Sequence, residues 1–376
     1  MAGVSIGWLV YAQTNSASSL GLVGLFQFLP MVCLTFVVGH VADRYDRRRI
    51  VATCQLIEGV TLFGLACGAL AGWLSIHAIY AAVVLLGGAR AFEQPTASAL
   101  LPGVVPASVL PQAVASSSTA MQTATIIGPA LGGVLYALGP AVPFSLAALF
   151  FLGASLAIGS LRLEQPAPRR EPATLASVFS GLSFIGKRPI ILGTISLDLA
   201  AVLLGGATAL LPIYARDILH TGPWGLGLLR LAPAIGALAM GFALARMPLR
   251  RKVGLKMFAA VLVFGIATVV FALSRNLGLS LAALLVLGAS DNISVVIRTS
   301  LVQLLTPHEM LGRVSAVNSL FIGTSNQLGE FESGMTAALF GTVPAAAFGG
   351  LGTIAVVFLW MALFPSLRRA DSFGKG

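Results

Sequence analysis

The chain has 376 residues, of which 57% are hydrophobic and only 10% are charged, and its mean hydropathy is +0.93. Soluble globular proteins carry about 25% charged residues, so the composition excludes that class and indicates a membrane protein. The formal net charge of +10 does not indicate nucleic-acid binding, because the basic residues lie in short loops and not in patches interleaved with aromatic residues. The three cysteines lie in apolar runs, so neither a disulfide framework nor redox chemistry is expected.

Proline, glycine and charge clusters divide the chain into apolar segments of about 20 residues, the length that crosses a membrane as a helix. The first segment, GVSIGWLVYAQ, is shorter and would reach about half way across at about 1.5 Å per residue. It also lacks the basic start and cleavage site of a signal peptide. We therefore expect span 1 to be incomplete, with its beginning upstream of Met1. Spans 2 to 12 are predicted at 20–42, 49–71, 76–101, 111–138, 141–161, 189–213, 223–246, 253–273, 278–304, 311–338 and 342–364.

Lys and Arg are distributed unequally between the loops of the two sides. Eighteen of them lie in the loops after spans 2, 8 and 10, in the linker 162–188 and in the tail 365–376, whereas only Arg216 and Arg275 lie in the other loops. The positive-inside rule places the first set in the cytoplasm. We therefore expect a multi-pass protein of the inner membrane, with an N-terminal bundle (1–161), a cytoplasmic linker (162–188), a C-terminal bundle (189–364) and a cytoplasmic tail (365–376).

The two halves of the chain repeat each other. Gly39, Asp43, Arg44, Arg48 and Arg49 correspond, 202 positions later, to Gly241, Ala245, Arg246, Arg250 and Arg251, in the loops after spans 2 and 8. Spans 4 and 10 repeat at an offset of 201, which relates Pro106 to Pro307. Many transporters are built from such duplicated units, so the sequence predicts two pseudo-repeated bundles of six helices.

A charge-dense loop, GHVADRYDRRRI (39–50), follows span 2. Six of its residues from Asp43 to Arg49 are charged, whereas the forty-two residues before them contain no Asp, Glu, Lys or Arg. Here the chain resembles the major facilitator superfamily of transporters, whose loop between helices 2 and 3 carries Gly, three residues, Asp-Arg and a basic run. The resemblance implies a cytoplasmic latch that steadies the outward-facing state, and the simpler alternative is charge that only sets topology. The matching residues are Gly39, Asp43, Arg44, Arg47, Arg48 and Arg49, while Asp46 replaces the usual second Gly.

Span 5 contains AMQTATIIGPALGG (120–133), which is similar to the antiporter signature of the same superfamily. The matching residues are Gly128, Pro129, Gly132 and Gly133. Ordinary helix packing is the alternative, because small residues four apart let helix backbones approach closely in lipid. The segments GARAFEQPTASALLP and GRVSAVNSLFIGTSNQLGEFESG resemble the branch of enterobactin exporters and related drug-efflux proteins. The resemblance as a whole implies an all-α integral membrane protein with the twelve-helix major facilitator fold.

Ionisable residues inside the spans are the first candidates for binding cargo or protons. Asp198 shares its span with no basic residue, and burial of an unpaired carboxylate favours its protonated form, so we predict a proton carrier there or a hydrogen bond to a neighbouring helix. Arg90 and Glu93 lie three apart on span 4, a spacing that favours pairing, and Arg90 resembles an arginine that the superfamily uses for proton transfer. Asp291 and Arg298 share a face of span 10 but are seven apart, so each is expected to find a partner on another helix. Asn326, Gln327 and Glu330 in span 11 are candidates for cargo contact.

The sequence thus predicts a secondary active transporter that exports a siderophore or an amphipathic drug-like compound in exchange for protons, by alternating access. The chain resembles no enzyme, and no cofactor or metal site is expected; GLSFIGK (181–187) fits a P-loop only in part, since Arg188 replaces its Ser or Thr. The partners expected are a small molecule, protons and the lipid bilayer, with no nucleic acid, and the protein is expected to be a monomer. The alternatives are a proton symporter that imports a nutrient and a truncated or sensor-like protein that does not transport.

Overall fold

The computed structural model describes residues 1–106, 108–161, 175–247 and 251–371. These residues are almost entirely helical, and no strand occurs among them. A 3₁₀ turn (Ala207–Leu210) precedes α9 and a π-helical turn (Tyr214–Ile218) follows it. In chain order the helices are α1 (Ala2–Thr14), α2 (Ala17–Arg44), α3 (Arg47–Ala71), α4 (Ile76–Val104), α5 (Leu110–Ala137), α6 (Ala141–Ser160), α7 (Leu175–Gly186), α8 (Pro189–Leu204), α9 (Leu211–Ile213), α10 (Gly222–Arg246), α11 (Val253–Leu273), α12 (Leu277–Leu305), α13 (His308–Phe340), α14 (Thr342–Leu363) and α15 (Pro365–Arg368).

Twelve helical segments correspond to the predicted spans. The helices α1 to α6 match spans 1 to 6, α8 with the turns that follow it matches span 7, and α10 to α14 match spans 8 to 12. Nine segments within the described ranges are long and apolar enough to cross a membrane by length and composition. The first helix, α1, has 13 residues. The prediction of an all-α, twelve-helix membrane fold is confirmed.

Span 7 differs from its predicted form, which is one helix over 189–213. The helix α8 ends at Leu204, and Gly205 and Gly206 separate it from the 3₁₀ turn. A β-carbon on Gly206 would lie 2.6 Å from the carbonyl oxygen of Gly329 in α13, so α13 packs directly against bare backbone at this point. Two consecutive glycines weaken a helix because each costs about 1 kcal/mol relative to alanine. The break in span 7 lies at these two residues.

The described residues form two compact units. The first contains Met1–Asn15, the described part of Val23–Thr174, and Gly222–Gly227. In this unit the helices α3, α4 and α6 share a buried apolar interior, and Ser155 Oγ of α6 donates a hydrogen bond of 2.7 Å to the carbonyl oxygen of Ala52 in α3. The interior of the first unit therefore lies around α3, the helix that carries Glu58.

The second unit contains Ser16–Leu22, Leu175–Thr221 and the described part of Leu228–Gly376. Its core brings together residues of α8, α11, α12, α14 and α15. Trp360 Nε1 of α14 donates a hydrogen bond of 2.9 Å to Ser196 Oγ of α8. The core side chains are Leu197, Met257, Phe258, Val261, Ile297, Leu301, Val357 and Leu367. They pack against α8, the helix that carries Asp198.

The helices α4 and α12 occupy equivalent positions in a duplicated chain. Each has 29 residues, and both their first and their last residues are 201 positions apart. Gly87 and Gly288, also 201 apart, each contact the backbone of an earlier helix. A β-carbon on Gly87 would lie 2.9 Å from the carbonyl oxygen of Gln27 in α2, and one on Gly288 would overlap the carbonyl oxygen of Pro233 in α10. Small residues permit this close backbone approach in lipid, and its recurrence agrees with the repeat in the sequence.

The residues that follow α15 cap the start of α11 with hydrogen bonds. The backbone N–H of Gly254 donates to the carbonyl oxygen of Ala370 at 3.0 Å, and the backbone N–H of Lys252 donates to Asp371 Oδ1 at 3.1 Å. The first N–H groups of a helix have no partner within the helix itself. These two bonds therefore satisfy groups that the sequence near α11 leaves without a partner.

Candidate functional site

A buried ion pair joins α8 and α12 in the second unit. Arg298 Nη1 donates a hydrogen bond to Asp198 Oδ2, and the two side chains are only 5% and 7% exposed. Asp198 is not an unpaired carboxylate, because α12 packs beside α8 and brings a guanidinium to it. The predicted hydrogen bond to a neighbouring helix is confirmed, and the role of proton carrier stays a prediction. The expectation that Arg298 finds its partner on another helix is confirmed. Each residue of this pair depends on the other, because a single charge buried without its counter-charge is costly.

A small cavity of about 10 Å³ lies beside this pair. Asp198 and Asp291 both line it, and Asp291 is close enough to Asp198 and Arg298 to interact with them electrostatically. Ser294 Oγ also faces the cavity and, among the described residues, has no hydrogen-bond partner. The remaining lining residues are Ala201, Val202, Val261, Phe264 and Ser290. The cavity is thus apolar except on the side that carries two carboxyl groups and two hydroxyl groups.

The charges around this cavity do not cancel. Two carboxylates and one guanidinium leave a net charge of −1 when both acids are ionised. An uncompensated charge inside a membrane protein is expensive, so the cluster favours a bound cation, of which the proton is the smallest. Ser294 Oγ offers a further oxygen for such a cation or for a hydrogen bond to cargo. Asp198, Asp291 and Arg298 together form the α8–α12 cluster.

A second charged cluster joins α3 and α4 in the first unit. Arg90 Nε lies 3.3 Å from Glu58 Oε1, and Gln55 Nε2 donates a hydrogen bond of 2.9 Å to Glu93 Oε1. The expected pair of Arg90 with Glu93 is therefore not the one that forms. Glu58 is fully buried, and Arg90 is the basic side chain that supplies its counter-charge. Gln55, Glu58, Arg90 and Glu93 form the α3–α4 cluster.

A third pair of opposite charges lies between α10 and α13. Glu330 is close enough to Arg230 for electrostatic attraction. The Nε of Arg230 is buried without a hydrogen-bond partner in the described part of the chain. Asn326 is exposed, and Gln327 and Glu330 are partly buried. Glu332, two residues beyond Glu330, accepts a hydrogen bond of 2.7 Å from Thr336 Oγ1. Glu330 is the charged member of the three span 11 candidates, and Arg230 supplies its opposite charge.

The basic loop after α2 is shorter than predicted. The helix α2 continues to Arg44 and α3 begins at Arg47, so only Tyr45 and Asp46 lie between them. Asp46 Oδ1 accepts a hydrogen bond of 2.9 Å from the backbone N–H of Arg48, which caps the start of α3. Its substitution for the usual Gly therefore has a structural role.

Only part of the predicted latch motif has described side chains. Arg48 Nη1 donates a hydrogen bond to the carbonyl oxygen of Leu161, just after α6. Arg44 and Arg49 are exposed and Arg47 is partly buried. Gly39 and the side chain of Asp43 lie outside the described residues. The described contact of the motif therefore ties the start of α3 to the end of α6.

The glycine motif of α5 packs against other backbones. A β-carbon on Gly132 would lie 2.7 Å from the carbonyl oxygen of Met1, and one on Gly128 would lie 3.3 Å from the nitrogen of Met1. On Gly133 it would lie 2.5 Å from the Cα of Gly227 at the start of α10. Pro129 lies within α5, which continues on both sides of it. The motif thus provides close helix contacts of the kind that small residues permit in lipid.

The comparison with known proteins agrees with this architecture. A family model described as Major Facilitator Superfamily matches residues 1–330. The chain belongs to the major facilitator superfamily. Two relatives, both named "Enterobactin exporter EntS", are 27% identical (Citrobacter koseri) and 25% identical (Escherichia coli) over 370 residues. Each match covers 98% of this chain and 89% of the relative. The chain is therefore a multi-pass membrane transporter of this superfamily and not an enzyme.

Solved structures of the superfamily share this fold. A bacterial homologue of the human lysosomal transporter Spinster, inward-facing and unoccupied, matches with a TM-score of 0.71 and 14% identity over 97% of this chain and 93% of that one. A bacterial homologue of the iron transporter ferroportin, also inward-facing, matches with a TM-score of 0.68 and 15% identity over 98% of this chain and 95% of that one. At these identities the likeness concerns the fold alone.

Three members of the clusters, Gln55, Glu58 and Arg298, have no functional role assigned from the sequence. Glu58 and Arg298 are visible in the sequence as charges within spans, but their partners are 32 and 100 residues away. Spacing within one helix cannot reveal such pairs. The signal that could have identified them is balance of charge: a buried charge in each span needs a partner in a neighbouring span.

Proposed function

We propose that this transporter exports a siderophore or an amphipathic drug-like compound from the cytoplasm in exchange for protons. The cargo class is supported by the relatives named as enterobactin exporters, which match 98% of this chain. Their identity of 25–27% is enough to support a class of cargo but not one compound, because the superfamily fold serves many cargoes. The two bundles (1–161 and 189–364) would expose a central site alternately to each side of the membrane.

The observation that carries the proton coupling is the α8–α12 cluster. Two carboxyl groups share one guanidinium beside a mostly apolar cavity. Binding of one proton makes the cluster neutral, and loss of that proton returns a charge of −1. A change of this kind can favour one conformation of the transporter over another, because a buried charge destabilises whichever state fails to solvate it. In this proposal Asp291 or Asp198 carries the proton, and Arg298 keeps the second carboxylate ionised.

The Arg230–Glu330 pair, the basic loop after α2 and the glycine motif of α5 are proposed to have supporting roles in transport. Arg230 with Glu330 is proposed to contact cargo, together with Asn326 and Gln327. The basic loop is proposed as a cytoplasmic latch, supported by the bond from Arg48 to the carbonyl oxygen after α6. The glycine face of α5 is proposed to seal and bend between states, supported by its close backbone contacts. The linker and the tail are proposed to lie in the cytoplasm, and the protein is proposed to work as a monomer in the inner membrane.

Everted membrane vesicles provide the test of this proposal. Respiration acidifies their interior, and a pH-sensitive dye reports proton release when catecholate siderophores or lipophilic drugs are added outside. We expect release with one class of compound only, and no release from vesicles that contain Asp198→Asn at equal abundance. Proton release from every variant alike would remove the α8–α12 cluster from the mechanism.

The alternatives give different results in the same vesicles. A symporter would release protons only when its cargo is first loaded inside, because cargo and protons then leave together. A protein that does not transport would give no release with any compound on either side, although immunoblotting verifies its presence in the membrane. Either result would contradict proton-coupled export.

A further inference from the structure

Glu58 in α3 has one carboxyl oxygen with a partner and one without. Its Oε1 lies 3.3 Å from Arg90 Nε, whereas Oε2 is buried and has no hydrogen-bond partner among the described residues. The whole residue is 0% exposed. A buried acceptor without a donor costs about 1–3 kcal/mol, and more if it carries charge. The environment of Glu58 is therefore incomplete as long as its carboxyl group is ionised.

Gln55, three residues earlier on the same face of α3, has a matching defect. Its Nε2 donates to Glu93 Oε1 at 2.9 Å, but its Oε1 is buried and lacks a donor in the part of the chain that the structure describes. The carboxyl groups of Glu58 and Glu93 are also close enough to interact. The α3–α4 cluster thus has more hydrogen-bond acceptors than donors. Its two unpaired oxygens, Gln55 Oε1 and Glu58 Oε2, each lack a donated hydrogen.

The net charge of the α3–α4 cluster also indicates that it lacks one proton. Glu58 and Glu93 carry −2 together when ionised, Arg90 carries +1, and Gln55 is neutral, so the cluster has a net charge of −1. Cys54 on α3 also lies near both glutamates. The other helix that packs closely on α3 is α6, and its segment Ala141–Ser160 contains no Asp, Glu, Lys, Arg, His or Cys. No further charge from that helix can balance the cluster.

We propose that Glu58 is a second proton-binding carboxyl group of this transporter, located in the first unit. A proton on its Oε2 removes the net charge and turns an acceptor without a partner into an O–H donor for Gln55 Oε1 or the Glu93 carboxylate. Arg90 stays bound to Oε1, and its side chain is 43% exposed, which gives the cluster an opening through which a proton arrives and leaves.

The coupling part of this inference rests on the proposed proton exchange. With the α8–α12 cluster in the second unit, each unit then contains two carboxyl groups and one arginine that together bind one proton. The related positions in the repeat are Arg90 and Asp291, which are 201 apart. The two clusters use the same pair of repeated helices, α4 and α12, with the acid and the base exchanged. The transporter would then move two protons in each cycle.

Infrared spectroscopy on the full chain in lipid can test the proton on Glu58 without any cargo. A protonated carboxyl group has a C=O stretching band that a carboxylate lacks, and ¹³C labelling of glutamate separates glutamate bands from those of Asp198 and Asp291. We expect a protonated glutamate band at neutral pH in the wild type and in Asp198→Asn, and its loss in Glu58→Gln. The absence of the band from the wild type, or its persistence in Glu58→Gln, would overturn the assignment.

A second variant keeps the test decisive if Glu58→Gln fails to insert into the membrane. Arg90→Gln removes the positive charge that favours ionised Glu58, so its glutamate band should persist to a higher pH than in the wild type. A band that disappears at the same pH in both proteins would contradict the proposal.

The vesicle assay separates this inference from the proposed function. If wild-type vesicles release protons on addition of cargo, Glu58→Gln should release one proton fewer for each cargo molecule. An unchanged ratio would show that the proton on Glu58 is not coupled to transport, although proton exchange itself holds. If wild-type vesicles release none, the proposed exchange fails, and the infrared result still decides the proton on Glu58.

Discussion

Asp198→Asn, Arg298→Gln and the double variant test the buried ion pair directly. The two side chains are 7% and 5% exposed, so each single substitution leaves a buried charge without its partner, which typically costs about 3–5 kcal/mol. In Asp198→Asn, Arg298 still has Asp291 nearby, so we expect a loss of about 3 kcal/mol. In Arg298→Gln two carboxyl groups lie close together without a cation, so we expect a loss of about 5 kcal/mol.

The double variant replaces the pair with two neutral amides. Neither amide carries a buried charge, so we expect a destabilisation well below the sum of the single effects. The coupling energy should reach the upper end of the range of about 0.5–3 kcal/mol that is usual for residues in contact. We also expect no gradient-driven transport in the double variant, because the proton site and its counter-charge are both gone.

Unfolding in mixed micelles with an increasing fraction of denaturing detergent provides the free energies, with fluorescence of the four tryptophans as the signal. Thr299→Ser, an exposed neighbour of Arg298 on α12, is the matched control and should remain within about 0.5 kcal/mol of the wild type. Additive single effects, with a coupling energy below about 0.5 kcal/mol, would refute the reasoning. Full transport by the double variant would refute the proposed role of the pair.

The remaining predictions use the same unfolding assay. Asp46→Ala removes the side-chain cap of α3 and should cost about 1 kcal/mol, whereas Asp46→Asn should not; equal losses would contradict the capping role. Gly133→Ala places a methyl group 2.5 Å from the Cα of Gly227 and should cost about 1–3 kcal/mol. Its control, Gly64→Ala, has no described atom within 4 Å of the new methyl, and similar effects of both would argue against the close contact. Tyr214→Phe removes a buried hydrogen bond of 2.9 Å to α11 and should cost about 0.6–1.5 kcal/mol; an unchanged midpoint would show that this bond contributes nothing.

The number and order of the spans could be predicted from the sequence because membrane helices are apolar throughout and end at charges, Gly or Pro. The repeat could also be predicted, and α4 and α12 begin and end at the predicted offset of 201. The break in span 7 was missed although its signal, Gly205-Gly206, is in the sequence. Glycine pairs also occur within continuous helices such as α4 and α5, and those pairs pack against neighbouring backbone too, so a glycine pair by itself does not identify the break.

The charged residues of the site could be listed from the sequence, but their pairing could not. The spacing of Arg90 and Glu93 satisfies the rule for neighbours on one helix, yet Arg90 pairs with Glu58 of α3. Asp198 has no basic residue in its own span, yet it pairs with Arg298 of α12. Both outcomes have one physical cause. A buried charge is stabilised by a nearby opposite charge. In a helix bundle the side chain that supplies this charge is usually on an adjacent helix.

The hydrogen bonds that Ala370 and Asp371 accept from the start of α11 matter for anyone who labels or shortens this protein. Together they cap the N-terminus of α11 with two residues from the far end of the chain, and Asp371 is 119 positions away from its partner Lys252. A fluorescent fusion or an affinity tag that begins directly after Leu363 would remove that cap along with α15, and a loss of signal could then be mistaken for a loss of transport. A tag joined beyond Asp371 leaves both bonds in place, so it is the suitable design for the assays above.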